Sequence, residues 1–178
     1  MYKNFDLNLG QISTIFLDVD GTFTDGSLYF MDNGSSMTKF NVYDGMGCIL
    51  LEEAGLELLI LTARHSDAVV KRFKELGITK IFTKVLKKRD FIKDYLKSHD
   101  LAKHEVAFMG DDLQDLAAIN EVGVFFTSSN AIDKVKESAH YVTLRSGGNG
   151  AVREISDLII RSKGSTPLLE FNRYLKKR

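Results

Sequence analysis

An apolar run that stops at two acids does most to limit what this chain can fold into. Ile15-Phe16-Leu17 is a continuous hydrophobic segment of the kind that fills a central strand buried on both faces. It ends abruptly in Asp18-Val19-Asp20-Gly21-Thr22. Carboxylates at the mouth of a buried strand are costly unless they are paired or bind a metal. Period-two geometry sends Asp18 and Asp20 to the same side if the strand continues that far. In open α/β sheets, ligands gather at the carboxyl ends of the strands. Gly21 then lets the backbone turn sharply or approach a ligand closely. Asp-Gly alone reads as an ordinary turn; the apolar strand with Asp-x-Asp-Gly-Thr reads as a catalytic or metal site.

The rest of the chain repeats the alternation of strand and helix. Apolar runs at Leu56–Leu61, Lys80–Val85, Val106–Met109, Val124–Thr127 and Tyr141–Leu144 read as strands. Helical patterns lie between and after them: Met46–Ala54, Ser66–Leu76, one from Lys87 or Lys88 to about Ser98, Gln114–Glu121, Ala131–Ser138 and Ala151–Arg161. This order predicts an α/β fold, a doubly wound and mostly parallel sheet with helices on both faces. One interruption stands out. Asn33-Gly34 separates two segments rich in β-formers, which predicts a β-hairpin pairing Leu28–Met31 with Met37–Val42. Its apolar Leu28, Phe30, Met37 and Phe40 need a cover. The 178 residues are expected to form one domain, with a core of about 12–162, the hairpin at about 27–42, and a tail at 163–178 that is mobile or docks on a neighbour.

Chemistry-bearing residues recur at strand ends. Thr62 follows the second buried strand, Lys88 lies just beyond the third, and Gly110-Asp111-Asp112 follows the fourth. Singly, each has an ordinary explanation: Thr62 or Asp111 and Asp112 as helix caps, Lys88 as part of a solvated run with Lys84, Lys87 and Arg89. Together they form a kit for phosphoryl transfer. Several carboxylate oxygens suit Mg²⁺, and a hydroxyl and an ammonium suit phosphoryl oxygens. A carboxylate can serve as nucleophile and a second one as proton carrier.

In order and spacing, Asp18-Val19-Asp20-Gly21-Thr22, Thr62, Lys88 and Gly110-Asp111-Asp112 resemble the four motifs of the haloacid dehalogenase superfamily of phosphatases. The resemblance spans roughly residues 12–162. It implies Asp18 as nucleophile and metal ligand, and Asp20 as general acid/base with its backbone carbonyl on Mg²⁺. It implies Thr62 and Lys88 on the phosphoryl oxygens, Asp111 completing the metal site, and Asp112 as a ligand or a partner of one. Thr24-Asp25-Gly26, the hairpin, the stretch from Phe40 to Gly47 and Gly147-Gly148-Asn149-Gly150 resemble the capless branch that contains the 3-deoxy-D-manno-octulosonate (KDO) 8-phosphate phosphatases. That branch implies a Mg²⁺-dependent phosphomonoesterase working through an aspartyl-phosphate on a phosphorylated sugar acid, in lipopolysaccharide precursor synthesis. It also implies a homotetramer built through the hairpin, and substrate contacts from Arg64, Gly21 and Asp44. Two positions depart from its usual pattern: Thr22 where Val is usual, and Tyr43 where Arg is usual.

Rival functions are weighed on particular residues. A phosphatase for a nine-carbon sialic-type acid 9-phosphate tends to carry Glu where this chain has Arg64, whose guanidinium suits a substrate carboxylate; the competing role for Arg64 is an ion pair with Asp67. A non-catalytic oligomerisation module has no need of the intact acid, Thr and Lys set. Signalling receiver domains order such residues differently and have no counterpart of Asp20. Lys plus Arg and Asp plus Glu number 24 each, so nothing global favours nucleic acid. No apolar run approaches the ~18 residues of a membrane span, and Met1–Gln11 lacks the apolar core of a signal peptide. A cytoplasmic location is therefore expected. Cys48 is expected as a core thiol, and the four His residues show no zinc spacing.

Overall fold

The computed structural model describes residues 7–178; Met1–Asp6, on which part of the signal-peptide expectation falls, lie outside the described residues. Six strands form one all-parallel sheet in the order β5-β4-β1-β6-β7-β8. They are β1 (Thr14–Leu17), β4 (Glu57–Leu61), β5 (Ile81–Phe82), β6 (Val106–Met109), β7 (Val124–Thr127) and β8 (Tyr141–Val142). β2 (Tyr29–Phe30) and β3 (Ser36–Met37) make the separate antiparallel hairpin. The helices are α1 (Val42–Glu53), α2 (Asp67–Glu75), α3 (Lys88–Ser98), α4 (Leu113–Leu116), α5 (Asp133–Ser138), α6 (Ala151–Ser162) and α7 (Pro167–Lys176).

Alternation along β1 explains the two layers. Ile15 and Leu17 enter a core with Leu50 and Leu51 of α1, Phe73 of α2, and Ile155 and Ile159 of α6. Phe16 points the other way, to Phe108, Phe125, and Ile92 and Leu96 of α3. Each such side chain contributes roughly 1.5–3 kcal/mol on burial, which is why both faces carry helices. Cys48 is fully buried in the first layer, as expected, and burial pushes its thiol pKa up. β1 pairs with β4 on one side and β6 on the other. The strand order therefore reverses around β1, and the carboxyl ends of these three strands frame a crevice.

Several elements depart from the sequence expectation. The hairpin forms but is shorter: the Asn41 side chain accepts the Tyr43 N–H at 2.8 Å and starts α1 a turn early, so the strand cannot run to Val42. Phe40 finds its cover on Phe73, with ring centroids 5.9 Å apart, while Leu28, Phe30 and Met37 stay exposed. β5 stops at Phe82 because Lys84 takes a left-handed φ of 61°. The expected helix 114–121 splits into α4 and a separate 3-10 turn, Ile119–Glu121. The tail forms a capped helix that packs on its own chain. Thr166 caps α7 through the Leu169 N–H, Pro167 opens it, and Phe171 packs on the first core layer. Buried Glu170 accepts from Ser165 and Arg173, and Lys177 pairs with Glu53 of α1.

Candidate active site

Three buried or half-buried acids converge where β1 and β6 end. One oxygen each from Asp18, Asp111 and Asp115 lies within 4.8 Å of the others. Lys88, the first residue of α3, reaches into this cluster. Its ammonium donates to Asp18 Oδ1 and to Asp115 Oδ1, each at 2.5 Å, and all three side chains are buried. The solvated alternative for Lys88 is thereby excluded. Burial alone would lower the Lys88 pKa, but Asp18 and Asp115 outweigh it and raise it. Asp18 is held well above the usual carboxylate range, first by burial and then by Asp115, with Lys88 pulling back. Asp111 is pushed up to about 7 by burial, then by Asp115 and Asp112. One ammonium among three close carboxylates leaves negative charge uncompensated in a poorly solvated place. A hard divalent cation fits that donor set of oxygens.

Asp115 is the residue the sequence reading passed over. It sits in the turn that follows Asp111 and Asp112, and its Oδ2 accepts both their N–H groups, at 3.0 and 3.2 Å. Gly110 makes room for it: a Cβ there would lie 2.3 Å from the Asp115 carboxyl carbon. A second acid one helical turn after Asp111 was the available signal. Asp112, expected at the metal, is exposed and caps α4 through the Leu113 N–H at 2.7 Å, so its carboxylate lies outside the acid cluster.

Two further expectations need correction. Asp44 does not face a ligand. It is fully buried in α1 and accepts the backbone N–H groups of Gly150 and Arg153, both at 3.0 Å, which fixes the start of α6. Burial raises its pKa, and those N–H groups partly offset the rise. Gly21 donates its N–H to Thr24 Oγ1 at 3.2 Å, and its carbonyl accepts from Ser128 Oγ at 3.1 Å and Asn130 Nδ2 at 3.5 Å, so its backbone polar groups are engaged within the chain. It must be glycine because φ is 84° and a Cβ would fall 1.9 Å from Asp111 Oδ2.

The remaining residues meet in a cavity of about 390 Å³ lined by Asp20, Thr62, Arg64, His65, Phe30 and Met37, among others. The hairpin therefore forms one wall of its own chain's cavity. Thr62, at the end of β4, is buried and accepts the Arg64 N–H at 3.2 Å. Arg64 does not pair with Asp67, which faces His65 at 3.3 Å; its Nε lies 4.0 Å from Asp20 Oδ2.

Comparison with known proteins agrees with this geometry. A family model described as haloacid dehalogenase-like hydrolase matches residues 77–155. The chain is 33% identical over 162 residues to the 3-deoxy-D-manno-octulosonate 8-phosphate phosphatase of Haemophilus influenzae, covering 91% of this chain and 90% of that one. It is 36% identical over 154 residues to the Escherichia coli K12 enzyme of the same name, covering 86% and 82%. The crystal structure of the Moraxella catarrhalis enzyme, described as a complex with magnesium ion, phosphate ion and KDO, matches with a TM-score of 0.86 at 32% identity, covering 96% and 95%. A cobalt-bound form from Haemophilus influenzae matches with a TM-score of 0.83 at 34% identity, covering 88% and 92%. Fold and site define a haloacid dehalogenase-like phosphatase. Within that class, the chain belongs to the family of the 3-deoxy-D-manno-octulosonate 8-phosphate phosphatases.

Proposed function

We propose that this phosphatase hydrolyses 3-deoxy-D-manno-octulosonate 8-phosphate to KDO and phosphate, with Mg²⁺ held by Asp18, Asp111 and Asp115 and by the Asp20 backbone carbonyl. The carrying observation is that Arg64 shares one cavity with Asp20 and Thr62, beside the Asp18–Lys88–Asp115 cluster. The relative that holds magnesium, phosphate and KDO supports it. The bound cation supplies charge neutralisation for the phosphoryl oxygens. Asp18 Oδ attacks phosphorus while the phosphorus–oxygen bond to the sugar breaks, giving an aspartyl-phosphate. Asp20 donates the proton that the departing alkoxide needs. It then takes a proton from water, which attacks phosphorus, frees Asp18 and releases inorganic phosphate. Lys88 holds Asp18 in place and, with Thr62, binds the phosphoryl oxygens. Arg64 pairs with the substrate carboxylate.

The exposed Leu28, Phe30 and Met37 on the hairpin support a homotetramer in which a neighbour completes the cavity wall. Phosphate release with Mg²⁺ across a panel of sugar-acid phosphates and generic esters tests the substrate. The eight-carbon acid should give the highest kcat/KM, and equal rates on all esters would refute the choice. Arg64→Ala should cost far more on the carboxylated substrate than on a generic ester. Phe30→Glu should give smaller particles in sedimentation and lower activity on the sugar-acid phosphate; an active wild-type monomer would remove the tetramer.

A further inference from the structure

Among the described residues, two that are not glycine have a positive φ: Asp100 at 53° and Lys84 at 61°. Asp100 lies just beyond the last residue of α3 and its C-cap His99, a place where a left-handed residue commonly ends a helix. Lys84 lies at no helix end. It occupies the turn between β5 and α3, and a long side chain there costs stability that glycine would not. Both neighbours of Lys84 are tied to the cavity lining. The Val85 N–H donates to the Thr62 carbonyl at 3.0 Å, and Thr83 Oγ1 lies 3.1 Å from His65 Nδ1. The turn thus hangs from the Thr62–His65 stretch. Two nearby cations are committed, Lys80 to Glu57 and Arg89 to Glu121. Lys84 is exposed, and no carboxylate among the described residues pairs with it.

The electrostatic setting gives that cation a use. Asp18, Asp111 and Asp115 crowd one sheet edge of a chain whose net charge is zero. An approaching phosphate dianion meets these acids together with the cations Lys88 and Arg64. A cation on the turn tied to Thr62 and His65 raises the local anion concentration without touching the reacting atoms. We propose that Lys84 is a substrate-capture residue, held by a left-handed backbone on the turn bordering the cavity so that its ammonium draws phosphorylated anions towards Thr62 and Lys88. This rests on the phosphatase reading of the site, not on which sugar acid is cleaved.

The test compares Lys84→Gly, Lys84→Gln and Lys84→Arg in the Mg²⁺-loaded enzyme, on the sugar-acid phosphate and on p-nitrophenyl phosphate. At low ionic strength, kcat/KM of the Gly and Gln variants should fall roughly fivefold, with kcat within about twofold. The gap should close at about 0.5 M salt, where screening acts within a few ångström. Lys84→Arg should keep wild-type kcat/KM. Lys84→Gly should melt no lower than wild type, since glycine relieves the left-handed strain. Unchanged kcat/KM in the Gly and Gln variants, a loss that persists at high salt, or a failure of Arg to retain activity would each overturn the proposal. A wild-type enzyme that ignores the sugar-acid phosphate refutes only the substrate choice, and Lys84 is then judged on p-nitrophenyl phosphate.

Discussion

Replacing Lys88 by methionine removes one charge from the centre of the site while nearly keeping its volume. The ammonium lies 2.5 Å from an oxygen of Asp18 and from one of Asp115, with the three side chains 2–7% exposed. Removing one partner of a buried pair typically costs about 3–5 kcal/mol, because the remaining charge is stranded. For a chain of this size, 1 kcal/mol moves the melting temperature by about 2–4 °C. The metal-free variant should therefore melt roughly 6–20 °C below wild type at pH 8. The loss should shrink as pH falls. Asp18 and Asp111 already have raised folded-state pKa values, Asp111 about 7, and removing the cation raises them further. A carboxylate whose folded pKa exceeds its unfolded value costs stability that grows with pH between the two and is fully present above the folded one. Below that window both forms are protonated and nothing is stranded. Millimolar Mg²⁺ should restore part of the stability at pH 8, because it supplies the missing positive charge. Circular dichroism melts from pH 5 to 8.5, with EDTA or Mg²⁺, read this directly. A melting point independent of the substitution, or a loss equal at pH 5 and pH 8, would refute a charge-based role for Lys88.

Asp18→Asn should abolish turnover while the metal-free protein melts no lower than wild type, because one acid leaves a crowded cluster; retained phosphate release would remove Asp18 as nucleophile. Asp115→Asn should weaken Mg²⁺ binding by calorimetry and lower kcat by roughly 10²-fold or more, whereas Asp112→Asn, a capping residue replaced by another good cap, should change kcat little. Equal losses in the two variants would refute the separation of their roles. Exhaustive EDTA should silence phosphate release, and Mg²⁺ should restore it; full activity after chelation would exclude the metal. Thr22→Val should raise the melting temperature, by about 2–4 °C if roughly 1 kcal/mol is regained, and leave kcat/KM unchanged. Among the described residues the buried Thr22 hydroxyl has no hydrogen-bond partner, and an unchanged or lower melting point would show that it has one in solution.

Local sequence determined a great deal here because its signals are local. Ile15-Phe16-Leu17 had to be buried on both sides, and the strand–helix alternation left few topologies other than a parallel sheet with β1 inside. Strand ends then placed Asp18, Thr62 and Asp111 at one edge without coordinates. The hairpin followed from Asn33-Gly34. What tertiary structure alone decided concerns which polar groups find partners over long chain distances. Asp44 and Asp112 look like site acids in a linear reading, yet one fixes the start of α6 from another helix and the other caps α4. Asp115 looks like an ordinary helical acid until the space at Gly110 and the reach of Lys88, 27 positions away, turn it inward. The tail was undecided for the same reason: its partner Glu53 of α1, which Lys177 meets, lies more than a hundred residues earlier. Periodicity and turn chemistry act over a few residues and survive in sequence. Charge compensation in a buried cluster is a sum over three dimensions, and only the folded chain performs it.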